Sequence, residues 1–444
     1  MPDTLMVASF SSILQAFAPC FTAPSFKNFC VLMSGWVFNL RRHTVTETVR
    51  AAQAVRVKSI SSFYRFFSRA PWDLDAVSLV LIKLIVEHLL PPGATIVAAV
   101  DDTLGRHTGK KIAAASMHRD PLLSTGKRPF FHWGHVWVVL SINIPLFGKV
   151  WALPVLFRLY RSKKRCEADK RPFRKTTELA REMIGVLAAA LPDRPVRVVG
   201  DAAYTNATVI RKRPRNVTVI GRGRLDAALY APPPKPRRGQ MGRPRVRGER
   251  LPSPAAQAAR KNARWKRAEV TVYGKTVVVR VLVIDALWYV AAHSELVRLV
   301  VVRGFPGHQR DDVFVSTDPT LDAKTIIEGY SERWPLEVTF FESKGKLGFE
   351  EPQNRVEKAV ERTAPMALLN YTLVVLWYAQ IGQHLRFAKV AQLPWYTTKT
   401  APAFSDMLAT LRRACWLERL SVPCSNVQTL RKKIRPILEY AAAA

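Results

Sequence analysis

Residues 330–344 read YSERWPLEVTFFESK, and the placement of their charged side chains decides how the chain around them is to be read. At about 100° per residue along a helix, Tyr330, Arg333, Glu337 and Lys344 fall at about 0°, 300°, 340° and 320°, one arc of roughly 60°. The other acids of the stretch do not join them, since Glu332 falls at about 200° and Glu342 at about 120°. A solvated helix with an Arg333–Glu337 pair, worth a few tenths of a kcal/mol, would use the same pattern. The rest of the sequence must decide between a surface pair and a reaction site.

The chain has 444 residues, 48% of them hydrophobic, enough for a large core and, by length, roughly two to four domains. Its 68 Lys and Arg against 34 Asp and Glu leave a net charge of +34. Such an excess repels itself unless a polyanion neutralises it, and nucleic acid is the first candidate. A membrane is not expected, because the longest apolar runs, 136–147 and 367–379, fall short of the roughly 18 residues a spanning helix requires. The first residues carry Asp3 and no early Lys or Arg, so the charged start of an export signal is missing. The cysteines (Cys20, Cys30, Cys166, Cys415, Cys424) are scattered and lack C-x-x-C spacing, which predicts neither a disulfide framework nor a zinc site. A cytoplasmic protein associated with the nucleoid fits this composition.

In chain order, residues 1–92 are predicted to be helical, with a stop at Pro91, Pro92 and Gly93. Thr44-x-x-Glu47 has capping-box spacing, and a second short helix beginning near Ser59 carries Ser61, Ser62, Arg65 and Arg69 among Phe63, Phe66 and Phe67. This pair resembles a helix-turn-helix, although a plain helical bundle with a basic rim has the same signature. Residues 95–102, TIVAAVDD, predict a short buried strand ending in two acids. The 131–160 region predicts a hairpin about Pro145 and Gly148. A helix over 177–191 then leads to a buried strand, PVRVVG, that stops at Asp201. Strand, crossover helix and strand make an α/β core over 93–221. Residues 222–318 open on a Pro, Gly and Arg loop and continue as a β-rich basic insertion whose last strands could join the core sheet. Residues 319–385 complete the core with one helix through the opening stretch, in which Pro335 can introduce a kink. Residues 386–444 form a basic helical C-terminal region.

Three carboxylates are thus placed by separate local patterns: one at the end of the first core strand, Asp201 at the end of a later strand, and Glu337 on a helix. Brought together they would repel one another unless protons or cations neutralised them. Hard oxygen ligands without Cys or His select Mg²⁺ or Mn²⁺. Two such ions about 4 Å apart can activate a water or a 3′ hydroxyl and stabilise the leaving oxygen of a phosphodiester.

The sequence resembles the DDE transposases of bacterial insertion sequences, in the subgroup with a Y-x2-R-x3-E-x6-K signature. Tyr330, Arg333, Glu337 and Lys344 meet that signature at every spacing, with AVDDT at 99–103, VVGDAAY at 198–204 and FEEPQNRVEKAVERTAPMALL at 349–369 as supporting pieces. The resemblance covers roughly residues 95–385. It implies an RNase H-like α/β catalytic core interrupted by a β-rich insertion, and a helical N-terminal domain that binds the terminal inverted repeats of the element. It also implies metal-dependent DNA cleavage followed by strand transfer into target DNA, with a homodimer in the synaptic complex. Carried over residue by residue, Asp102, Asp201 and Glu337 would be catalytic acids holding two Mg²⁺ or Mn²⁺ ions, and Tyr330, Arg333 and Lys344 would contact DNA phosphates. Asp101 competes with Asp102 for the first place, because adjacent strand residues face opposite ways. Trp334 could stack on an unpaired base or pack internally, and His118, His132 and His135 are read as ordinary hydrogen-bonded histidines. A structure-selective nuclease without strand transfer, or a repurposed DNA-binding relative, are the competing readings.

Overall fold

A computed structural model describes residues 6–120, 123–234, 245–388, 390, 394–395, 397–421 and 427–441. Residues 235–244 of the Pro, Gly and Arg segment and the tail 442–444 lie outside the described residues. The strands are β1 (Ile96–Arg106), β2 (Ser116–Arg119), β3 (Phe131–Leu146), β4 (Lys149–Tyr160), β5 (Val196–Gly200), β6 (Val217–Arg222), β7 (Leu229–Tyr230), β8 (Arg250–Leu251), β9 (Lys266–Val272), β10 (Lys275–Leu287), β11 (Leu296–Arg303) and β12 (Asp312–Ser316). Besides shorter helices and Ala8–Gln15, the helices are α1 (Ala23–Phe38), α2 (Val45–Ala51), α3 (Ile60–Ser68), α4 (Leu74–Leu89), α5 (Thr176–Ala190), α6 (Ala323–Ser331), α7 (Trp334–Leu347), α8 (Glu357–Gln380), α9 (Phe404–Ser421) and α10 (Val427–Ala441).

Among the described residues the strands form one sheet in the order β2-β3-β1-β5-β6-β12-β11-β10-β7-β8, with β4 on β3 and β9 on β10. Its centre is RNase H-like: β4, β3 and β1 are antiparallel neighbours, and β1, β5 and β6 are parallel. The β3–β4 turn places Phe147 and Gly148 at φ of 55° and 74°, the positive pair that a two-residue hairpin requires. Tyr273 and Gly274, at 52° and 74°, turn β9 into β10 in the same way. The β-rich segment continues the core sheet, since β12 pairs with β6 and carries β11 and β10 beyond it.

Two local expectations are corrected. The first core strand does not end at the two acids but continues to Arg106, because Asp101 to Arg106 stay paired with β3 after the parallel partner β5 has stopped at Gly200. The helix through residues 330–344 is two helices. Pro335 has no N–H to give the Ser331 carbonyl and its ring crowds that carbonyl, so the chain tightens at Glu332 and Arg333, where Glu332 N bonds Gly329 O and Arg333 N bonds Tyr330 O.

Helix α8 is the spine of the molecule, buried from Thr363 through Ala379. Sheet, N-terminal helices and α9 share one apolar core that reaches from Met6 to Cys415. No helix among the described residues is long and apolar enough to cross a membrane. Buried Arg362 on α8 donates to the carbonyls of Phe67, Ala70 and Trp72, at the end of α3, and lies 4.2 Å from the Trp72 ring centroid. Removing it takes away the donor to the Phe67 and Trp72 carbonyls, at about 1–3 kcal/mol each, while the Ala70 carbonyl keeps the Trp72 N–H. Arg362→Ala should lower unfolding stability by about 2–4 kcal/mol, read by chemical denaturation, while Arg41→Ala on the exposed surface should change it little.

Candidate active site

The parallel ladder between β1 and β5 ends at the pair Val100–Gly200, and the next residues on the two strands are Asp101 and Asp201. Acids from separate strands therefore meet in the middle of the sheet, at the carboxyl end of β5, where its backbone turns away. Gly200 is required there: a side-chain carbon would lie 2.8 Å from the Tyr204 Cβ, and one on Gly221 would collide with Thr205. These glycines let residues 201–205 fold back over the sheet. Asp201 organises that turn, with its Oδ1 accepting from the backbone N–H of Ala203 at 2.9 Å and Tyr204 at 3.2 Å.

Asp101 and Asp102 do divide by face. Asp101 Oδ2 accepts from Arg333 Nη1 at 2.6 Å, and its Oδ1 accepts from the Asp102 N–H at 2.8 Å. Asp102 Oδ2 instead accepts from the Tyr204 hydroxyl at 2.7 Å. Burial pushes the Asp101 carboxyl up to about 7, with Arg333 opposing and Asp102 and Asp201 adding to the rise. Burial also raises Asp102, with the Tyr204 hydrogen bond opposing and Asp201 adding. The cause in both cases is the one expected for carboxylates crowded out of water.

Glu337 stands on the first turn of α7 and joins this group through Arg333, whose Nη1 also lies 2.5 Å from Glu337 Oε1. One nitrogen thus touches both carboxylates. The helix break that aims Arg333 is held from β3: buried Asn143 donates to the Glu332 carbonyl at 2.5 Å, and Ser141 donates to Asn143 Oδ1 and to the Ala99 carbonyl. Asn143, Ser141 and Tyr204 were not singled out in the sequence. For the first two the available signal was a pair of polar residues inside the apolar run VVLSINIP.

The remaining signature residues are placed differently from the single helical face expected of them. Tyr330 is buried among Ile326, Ile327 and Phe314, its ring 4.6 Å from that of Phe314. Lys344 donates to the Leu104 carbonyl at 2.6 Å and pairs with Glu350 at 2.8 Å, so it braces β1 just past the acids. Trp334 is half exposed and meets Tyr273 edge-on, and both line a cavity of about 540 Å³. His135 bonds the Ala113 carbonyl, His132 pairs with Asp120, and His118 packs edge-on against Tyr160.

Asp101, Asp102, Asp201 and Glu337 fit a hard divalent cation in donor type. Among the described residues, however, no three acidic, imidazole or thiol side chains stand close enough together to hold one as they are. Between Asp101 and Glu337 the bridging position is taken by the Arg333 guanidinium.

The family described as DDE superfamily endonuclease matches residues 16–278, a span that includes Asp101, Asp102 and Asp201 and ends before Glu337. No curated protein sequence matches the chain. Among solved structures, the cryo-EM structure of a piggyBac transposase synaptic complex with hairpin DNA overlaps 97% of this chain and 81% of its own at 10% identity and a TM-score of 0.42. That overlap is too loose for any feature to be carried across. The family match alone spans more than half of the sequence, and the chain belongs to the DDE superfamily of endonucleases.

Proposed function

We propose that this endonuclease is the transposase of a bacterial insertion sequence of the Y-R-E-K subgroup, cutting DNA at the terminal inverted repeats of its element and joining the ends to target DNA. The observation that carries the reading is the Arg333 bridge. It draws Glu337 to Asp101 beside Asp201, although the three acids come from distant parts of the chain.

In this reading the acids at the end of the β1–β5 ladder and Glu337 would hold two Mg²⁺ or Mn²⁺ ions, whose chemistry would be to activate a water or 3′ hydroxyl and stabilise the leaving oxygen. Asp201 and Glu337 are two of the ligands. For the first, the D-T motif points to Asp102, whereas the shared Arg333 and the end of the parallel ladder favour Asp101, with Asp102 oriented by Tyr204. Arg333, whose fixed positive charge and planar donors suit a phosphate, would move to the DNA backbone beside the scissile bond. Lys344 on α7 and Tyr330 on α6 would support the same strand.

Residues 1–92 serve as the repeat-binding domain. On α3, Phe63, Phe66 and Phe67 are buried while Ser61, Tyr64 and Arg65 are exposed, so the polar face is free to meet a groove. The net charge of +34 supplies the phosphate attraction, and a pair of chains in the synaptic complex would hold two element ends.

The test is cleavage of a duplex carrying the ends of the element that surrounds the gene. Asp201→Asn and Glu337→Gln should each lower Mg²⁺-dependent cleavage by at least about a thousandfold with repeat binding near wild type. Of Asp101→Asn and Asp102→Asn, the variant at the metal ligand should fall equally far, and Tyr204→Phe should lose roughly tenfold if Asp102 is a positioning group. Cleavage retained in Asp201→Asn or Glu337→Gln would remove the assignment. Cleavage without joining, given a pre-cut end with a free 3′ hydroxyl, would instead support the nuclease reading. Duplex binding should also weaken steeply with salt, with a log-log slope of about −0.9 for each phosphate contacted. A total slope of only about one or two would contradict a broad basic footprint.

A further inference from the structure

Arg333 occupies the position between acids that a bridging cation would need. Its Nη1 lies 2.6 Å from Asp101 Oδ2 and 2.5 Å from Glu337 Oε1, so the two oxygens are no farther apart than the sum of those contacts. A divalent cation that took both oxygens as ligands would need the space that this nitrogen fills. A guanidinium and a divalent ion cannot share it, because both are positive and would stand against the same two oxygens. Arginine cannot escape the conflict by losing a proton. It has to move.

The structure also shows what would favour the move. The Arg333 Nε is buried and has no hydrogen-bond partner, so the guanidinium is only partly satisfied where it lies, and an unpaired buried donor is costly. Its side chain is anchored at the tightened junction ahead of Pro335, where Asn143 holds the Glu332 carbonyl. The guanidinium can therefore swing while its backbone stays fixed. The partner that could accept several of its N–H groups at once is a phosphodiester.

Resting on the transposase reading above, we propose that Arg333 is a surrogate cation that closes the Asp101–Glu337 site in the free protein, and that a DNA phosphate opens it by taking the guanidinium. Divalent metal and DNA then load cooperatively. Metal-activated hydrolysis is withheld until a strand is in place. Because binding linkage is reciprocal, metal must raise DNA affinity by the same factor that DNA raises metal affinity.

The experiment is a Mn²⁺ titration of the full chain, following free Mn²⁺ by electron paramagnetic resonance, with and without a duplex carrying the element ends. Glu337→Gln plus DNA serves as the baseline for Mn²⁺ held as DNA counterion. Wild type should bind site-specific Mn²⁺ weakly alone and about tenfold or more tightly with DNA, within the usual range of coupling. Arg333→Gln, checked for folding by circular dichroism, should bind Mn²⁺ tightly without DNA and gain little from it, while losing cleavage. Equal Mn²⁺ affinity of wild type with and without DNA overturns the gating proposal and leaves the metal site standing, and this comparison needs no variant. Mn²⁺ uptake by wild type with DNA that does not exceed the Glu337→Gln baseline overturns the transposase chemistry itself.

Discussion

A single guanidinium nitrogen, Nη1 of Arg333, donates to an acid 232 positions earlier in the chain and contacts another on the next helix turn. Glu337 is tied to the end of the β1–β5 ladder through that contact, so the geometry of the acids depends on how Arg333 is aimed. Several constraints aim it. Pro335 denies the helix one backbone bond, Asn143 on β3 receives the resulting bend, and Tyr330 anchors the end of α6 in the second apolar cluster. At the far end of α7, Gly348 takes the left-handed conformation at φ 60°, where a side chain would collide with His43 and Glu351.

That collision site marks a second connection. His43, in the loop before α2, donates its backbone N–H to Glu351 Oε2 and meets the same oxygen with its ring Nδ1, and Trp36 on α1 donates to the Leu347 carbonyl at the end of α7. Arg362 on α8 fastens the end of α3 from the other side. The helix that carries the candidate DNA-contacting face, α3, is therefore tied to α8, while α1 and the loop before α2 hold the end of the helix that carries Glu337. A shift of α3 on DNA would be transmitted through close-packed side chains, which resist gradual deformation.

Much of this was legible in the sequence because it is local. Alternation and turn residues marked β3, β4, β9 and β10, and Thr44 does accept from the Glu47 N–H as the capping spacing predicts. The arc shared by Tyr330, Arg333, Glu337 and Lys344 was only partly right. It assumed an unbroken helix, and Pro335 turned Tyr330 inward and Arg333 toward β1. That Asp101 and Asp102 face opposite ways followed from strand geometry, whereas the length of β1 and which of the two meets Arg333 depend on long-range pairing that no local pattern records. The roles of Asn143 and Tyr204 were hidden for the same reason, as their partners lie 189 and 102 positions away.

The central claim is that Asp201, Glu337 and an acid of β1 surround one metal centre when DNA is bound. Fe²⁺ substituted for Mg²⁺ in the DNA complex, with ascorbate and peroxide, cuts the polypeptide next to wherever the ion sits. Scission clustered near residues 101–102, 201 and 337 in the same sample, and lost on adding excess Mg²⁺, is the result predicted. Scission confined to one of those positions, or falling elsewhere in the chain, would contradict a shared centre.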